Sequence, residues 1–227
     1  MQSETFEAPD ALPLFPLATV LVPGAVLPLH IFEERYKEMM RYAIENQGMY
    51  GLSFRDNANI GKETVPEVGS VGCLAKINAV MPLEDGRLNL ISTGIIRYRV
   101  NGYNQMLPFL IAQIETFTDE LEADEELTHL YESLKTPGKE LLEAAKKLDE
   151  AGLVLSNDLP DDPESFSFLM TSILPLENDI KQSLLEMTST KIRLMRLRTH
   201  INNTLANYTN RLQMQERAKT NGHGKLQ

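Results

Sequence analysis

Four prolines punctuate the apolar run LPLFPLATVLVPGAVLPLHIF, at Pro13, Pro16, Pro23 and Pro28. A proline cannot donate to a strand ladder and clashes inside a helix, so this run folds neither as a long strand nor as a buried helix. It must be laid down as short strands joined by rigid bends. Two uses fit such a pattern. The bends can wrap short strands around a barrel-like core, which is the structural use, or leave apolar side chains facing a groove where an extended peptide docks or adds a strand.

Strand signals continue to Phe117. In the segment beginning at Val71, Cys73, Ala75 and Ile77 alternate with Leu74, Lys76 and Asn78, placing successive side chains on opposite faces. Glu84-Asp85-Gly86-Arg87 then supplies an Asp-Gly turn, and RLNLIST resumes the alternation, which predicts a hairpin. Further strands are predicted over 95–100 and 109–117, with Asn101-Gly102 as the turn between them. One helix interrupts this β-rich stretch. Tyr36, Met39, Met40, Ala43 and Ile44 recur at helical spacing after the charged start Glu33, Glu34 and Arg35, and Gly48 suits its end.

After Phe117 the character changes. ETFTDELEADEE carries seven acids in twelve residues, and nearly every later periodicity is helical. The predicted organisation is a β-rich domain over 1–118, a helical domain over 119–212 and a flexible tail over 213–227. Thr136-Pro137-Gly138 is expected to separate two helices. Asp162-Pro163-Glu164 combines an N-cap, a first-turn proline and an acid favourable to the helix dipole, so a helix starts there and ends near Pro175. The next helix is expected over 177–187 and the longest from about Ser189 to Leu212. Leu194, Leu197, Ile201, Leu205, Tyr208 and Leu212 draw one apolar stripe along that last helix. Its partner is either another helix of the chain or a second copy, which would make a homodimer through the C-terminal helix.

Composition narrows the chemistry. Apolar residues make up 42% and charged residues 24% of 227 residues, the balance of a folding globular chain. Cys73 is the single cysteine, so no intramolecular disulfide and no thiolate metal cluster can form, which fits a reducing, cytoplasmic setting. The acidic start MQSETFEAPD is unlike a signal peptide, and no apolar run is long enough to span a membrane. The net charge of −10 argues against nucleic acid as the main partner. From Met187 onward, however, eight Lys or Arg face one acid, Glu216, a local +7 that leaves −17 for the rest. Either an anionic partner binds there, or a basic helix lies on an acidic body; the second is favoured because charge runs are usually solvated faces. The anionic alternative is a nucleic-acid binder using this segment.

No catalytic or cofactor motif emerges. His30 in LHIFEE has carboxylates nearby but makes a poor metal site, and no HExxH, Cys pair or acidic calcium loop occurs, so neither metal nor cofactor is expected. Gly61-Lys62 and Gly138-Lys139 are each followed by Glu rather than Ser or Thr, which excludes a phosphate-binding P-loop. No GxSxG elbow exists, and a serine–lysine dyad, being spatial, is not legible in sequence.

Two stretches carry a resemblance. LPLFPLATVLVPGAVLPLHIFEERYKEMM, followed by GSVGCLAKINAVMPLEDGRLNLISTGIIRYRV, resembles the N-terminal substrate-binding domain of Lon-type ATP-dependent proteases (protease La). FSFLMTSILPLENDIKQSLLEMTSTKIRL is similar to the helical subdomain that follows it in that family. The resemblance implies an α+β fold: a PUA-like β pseudo-barrel with one packed helix, then an α-helical bundle. It also implies recognition of unfolded or degron-bearing proteins without catalysis, since the family's ATPase and Ser-Lys peptidase segments are not present in this sequence. An adaptor that serves a separate protease is the expectation. Carried over by position, the substrate-binding residues would be the charged Glu33, Glu34 and Arg35, with Leu29, Ile31, Met39 and Met40 as apolar neighbours.

Overall fold

The computed structural model describes residues 8–55, 65–121, 125–150 and 159–222. The Gly61-Lys62 pair, most of the acidic N-terminus, positions 122–124 of the acidic segment and the last five residues of the tail lie outside them. Two compact units emerge. One takes the residues up to Thr118 together with Asn178–Glu186; the other takes Asp119–Glu177 and Met187–Gln227.

The β unit contains β1 (Ala11–Leu17), β2 (Val26–Ile31), helix α1 (Glu34–Glu45), β3 (Met49–Phe54), β4 (Val71–Pro82), β5 (Leu88–Gln105) and β6 (Leu110–Phe117). The strands follow the order β2-β5-β4-β3-β1-β6, and a further β5–β6 pairing closes β1, β3, β4, β5 and β6 into a ring. Strand β5 makes this possible. Its first half pairs with β2 and its second half with β6, while β4 runs alongside most of its length. The predicted Asp-Gly hairpin joins β4 to β5, with Gly86 at φ 78°. The predicted Asn101-Gly102 turn, by contrast, is a bulge within β5. Val100 pairs with Ile114 and Gly102 with Gln113, so Asn101 is one extra residue that bends the strand within its β6 ladder, which runs from Arg97 to Gln105. The real β5–β6 connection is Met106 to Phe109.

Strand β1 carries two prolines yet has neighbours on both sides, and its register explains how. It pairs with β6 over Ala11–Leu14 and with β3 in parallel over Leu14–Leu17. The Ile114 amide donates to the Asp10 carbonyl. By two-residue alternation, residues 12, 14 and 16 therefore direct their main-chain polar groups toward β6, and 13, 15 and 17 toward β3. The Arg55 amide donating to the Leu17 carbonyl agrees. Pro13 thus faces β3 just before that ladder begins, and Pro16 faces β6 just after that ladder ends. Neither proline costs the sheet a hydrogen bond. Pro28 lies in β2, which among the described residues pairs with β5 alone and so forms an edge.

Alternation sorts the apolar residues into two layers. Leu12, Leu14, Leu74, Tyr98, Val100, Ala112 and Ile114 pack on one face. Phe15, Tyr50, Leu52, Cys73, Ala75 and Leu90 pack on the other, beneath Met39, Met40 and Ala43 of α1. Tyr98 lies where Gly51 and Gly72 leave room, bonded through its hydroxyl to Ser53 Oγ at 2.7 Å. A Cβ on Gly72 would stand 2.3 Å from the Tyr98 hydroxyl and 2.4 Å from the Leu52 carbonyl oxygen. Burial pushes the Cys73 thiol up from its ordinary value near 9.0 to about 12. The same cause raises the Tyr50 phenol to about 12.

The helical unit contains α2 (Glu125–Lys147), α3 (Pro163–Ile173) and α5 (Thr190–Gly222). The expected break at Thr136-Pro137-Gly138 does not occur. Helix α2 runs through Pro137, because Leu127, Tyr131, Leu134, Gly138, Leu141 and Ala145 continue one buried stripe in register across it. Gly138 is there for close approach rather than as a stop, since a Cβ would stand 2.8 Å from the Phe166 ring. Helix α3 begins as predicted, with the Asp162 carboxylate accepting from the Ser165 amide at 2.8 Å. Helix α5 continues ten residues past the expected end at Leu212, to Gly222. Its stripe is covered within the chain: Leu194, Leu197, Ile201 and Tyr208 are buried, and α5 packs on α2 and α3. The apolar stripe itself therefore needs no second copy.

A buried ion pair ties this unit together. The Arg193 and Asp119 side chains are 0% and 4% exposed. Arg193 also donates to Ser167 Oγ at 2.7 Å and to the Met187 carbonyl at 3.0 Å, and its guanidinium lies 4.0 Å from the Phe168 ring centre. Between α3 and α5 the chain contributes α4 (Asn178–Glu186) to the β unit. There Asn178 donates to the Ala18 carbonyl, Gln182 to the Val71 carbonyl and buried Arg97 to the Leu185 carbonyl. The last of these places a cation at the negative end of the helix dipole. Among the described residues no helix is long and apolar enough to cross a membrane.

Four outcomes test this packing. Gly72→Ala should lose about 3 kcal/mol in urea unfolding, whereas Gly102→Ala, whose Cβ meets nothing closer than 3.5 Å, should stay within about 0.5 kcal/mol. Asp119→Ala, by leaving the Arg193 charge unpaired, should cost about 3–5 kcal/mol, against under about 1 kcal/mol for Glu150→Ala, which removes the exposed Arg211 pair. Because Cys73 and Tyr50 keep their protons in the folded state to about 12, unfolding releases protons at high pH. Stability should be full below about pH 9 and fall as pH climbs toward 12. Native Cys73 should resist thiol reagents at neutral pH until urea unfolds the chain.

Candidate functional site

The junction between β2 and α1 leaves a large apolar side chain in water. Strand β2 ends at Ile31, and Glu33 serves as the N-cap residue of α1 with extended backbone but no side-chain cap bond. The chain bends at Glu33 on its way from β2 into α1, and the Phe32 side chain beside the bend is left 62% exposed. On the opposite side, the β5–β6 connection projects Met106 and Leu107, which are 48% and 75% exposed. Between them lie two adjoining hollows. One, of about 160 Å³, is lined by residues that include Leu14, Tyr36, Val65, Leu107 and Phe109. The other, of about 190 Å³, is lined by Phe15, Leu17, Ile31, Phe32 and Glu33 among others. Pro16, Arg35, Tyr36 and Arg55 line both and so form the neck between them.

The walls are shaped by packing that reaches the core. Phe15 and Tyr36 rings meet at 4.4 Å between centres, and Phe15 meets Tyr50 edge-on at 6.4 Å. Arg35 lies over the Tyr36 ring at 4.6 Å and is ion-paired to Glu33 at 3.1 Å. Arg55 sits at the end of β3, with its Nε buried and without a hydrogen-bond partner among the described residues. The neck is thus cationic in a chain whose net charge is −10.

The sequence-predicted residues separate on this geometry. Ile31, Glu33 and Arg35 line the hollows. Glu34 points away into a pair with Lys37 at 2.8 Å, which holds its carboxyl below the usual range. Leu29 packs against the layer under α1. Met39 and Met40 are 0% exposed, so both belong to that core layer and offer nothing to a surface ligand. Their helical spacing is the signature of a core-facing stripe, and the stripe is what they form. Sequence reasoning missed Phe32, Arg55, Met106 and Leu107. A usable signal did exist for Met106-Leu107-Pro108, an apolar triplet between two strands, but placing the turn at Asn101-Gly102 hid it.

Other candidates offer less. The Cys73 thiol is buried and held protonated, the reverse of a nucleophile. Among the described residues no group of three or more His, Cys, Asp and Glu side chains is placed to hold a metal ion. His30 is exposed and bonded through Nδ1 to Asn89 Oδ1 at 2.7 Å. The basic segment is partly neutralised within its own unit: Arg193 by Asp119, Lys191 by Glu126 and Arg211 by Glu150.

Comparison with known proteins gives a consistent result. The family model for the ATP-dependent protease La (LON) substrate-binding domain matches residues 11–203. The Lon protease of Bacillus thuringiensis (strain Al Hakam) is 28% identical over 184 residues, 81% of this chain and 23% of that protein. The Lon protease of Brevibacillus choshinensis is 26% identical over 85% of this chain and 25% of its own length. The chain thus spans about a quarter of these curated relatives. In solved structures, the N-terminal domain of a Mycobacterium avium complex Lon protease matches with a TM-score of 0.65 at 20% identity, covering 85% of this chain and 98% of that one. A Lon N-terminal domain protein from Xanthomonas campestris matches with a TM-score of 0.59 at 24% identity, covering 83% and 97%. At these identities the structural matches speak for the fold.

Proposed function

Since the chain belongs to the ATP-dependent protease La (LON) substrate-binding domain family, we propose that it binds exposed apolar segments of unfolded or degron-bearing proteins in the groove between Phe32 and Leu107. The observation that carries this reading is the exposure of Phe32, Met106 and Leu107 around two hollows that are also lined by the end of β1. Large apolar side chains left in water beside a concavity are the mark of a recognition surface. Binding here requires no chemistry from the chain. Its role is to hold a client, as an adaptor does for a separate protease, in a cytoplasmic setting.

The groove suits an extended client better than a folded one. Each hollow holds roughly one or two side chains by volume, and Pro16 and Tyr36 between them offer a firm wall. Such a site gains affinity from a few anchors that leave water together. An unfolded segment supplies them at any spacing.

A double variant, Phe32→Ser with Leu107→Ser, tests the assignment. Both side chains are largely exposed, so the thermal melt should move little. Affinity for a fluorescent, permanently unfolded model protein should fall at least about fivefold, from the loss of two apolar anchors. Binding unchanged from the parent chain would move the client site away from this groove.

A further inference from the structure

The arginines at the neck give the groove a chemical preference that apolarity alone does not. We propose, resting on the groove reading above, that the preferred client segment is extended and carries one internal Asp or Glu flanked on both sides by apolar side chains, the carboxylate docking on Arg55 beside Arg35.

Three observations converge on this occupant. The first is charge: the neck presents two guanidinium groups and, among the described lining residues, one carboxylate, Glu33, already paired with Arg35. In a chain of net charge −10 such a local excess of positive charge is selective for an anion. The second is the state of Arg55, whose Nε is shielded from solvent and has no acceptor among the described residues. A guanidinium is a planar fork matched to a carboxylate, which can take two of its N–H groups at once. The third is geometry. Both arginines line both hollows, so an anion at the neck has an apolar pocket on either side. A C-terminal carboxylate would fill only one of the two; an internal acidic residue lets the chain continue into the second.

Fluorescence anisotropy on the full chain decides the matter with three short labelled peptides: one with a central Asp between two Phe-Leu pairs, its Asn analogue, and a third with a free carboxylate only at its C-terminus. The Asp peptide should bind about tenfold tighter than the Asn analogue, an advantage that shrinks as salt is raised. In Arg55→Gln that advantage should disappear, the ratio of Asp-peptide to Asn-peptide affinity falling to about one; Arg55→Lys should restore part of it. Thermal melts check that the variants remain folded, and the Asp/Asn ratio and its salt dependence in the parent chain need no variant. Equal binding of the Asp and Asn peptides overturns this inference and leaves the groove reading standing. So does a preference that survives Arg55→Gln, or one for the terminal carboxylate. Failure of all three peptides to bind overturns both.

Discussion

Closure of the sheet on β5 is the constraint from which the β unit follows. One strand of 18 residues serves β2 and β6 in turn along one side while β4 runs along the other. That requires β5 to bend, and Ile95 is an extra residue against β4 between its β2-paired and β6-paired parts, with Asn101 a second one inside the β6 ladder. Closure leaves β1 between β3 and β6, each contacting only half of it, and this is why two prolines are tolerated there. It leaves β2 as an outlying edge strand. The chain leaving that edge must turn back over the sheet as α1, and the turn is where Phe32 is stranded in solvent and the hollows open.

Local chemistry made much of this fold legible. The Asp85-Gly86 hairpin, the alternation through Cys73 and Ala75, the Asp162 cap and the α5 stripe each depend on residues within a few positions of one another. The failures share a different cause. Asn101-Gly102 has the composition of a turn, but whether the chain turns or bulges depends on Gln113 and Ile114 across the ladder. Pro137-Gly138 has the composition of a helix break, but the stripe on either side of it is in register, and the Phe166 ring from another helix occupies the space beside Gly138. Tertiary packing overrides local preference when a continuous apolar face stands to be buried.

The candidate site was legible only in part, for the same reason. The family resemblance pointed to the start of α1, and Glu33 and Arg35 do line the hollows. Met39 and Met40 lie close by in sequence, but one turn further along the helix both are fully buried in the core layer. Phe32, Arg55 and Leu107 come from three different connections, and no local pattern links them. They meet because β2, β3 and β5 end near one rim.

The contrast between two arginines shows what such a rim can hold. Arg193 is fully buried, and its charge is matched by Asp119, a serine hydroxyl, a main-chain carbonyl and an aromatic face. Everything it needs is supplied by its own unit, so it works as a fixed structural tie. Arg55 is part-buried, and its Nε meets no acceptor among the described residues. A buried donor left unmatched costs about 1–3 kcal/mol, and a neighbouring carboxylate would have removed that cost within the fold. Arg193 has such a neighbour and Arg55 has none among the described residues. In the helical unit the satisfied guanidinium fixes the packing of α3 and α5. In the β unit the unsatisfied one lies where two apolar hollows meet, so an incoming carboxylate gains a charge-assisted bond there without breaking one the fold already makes.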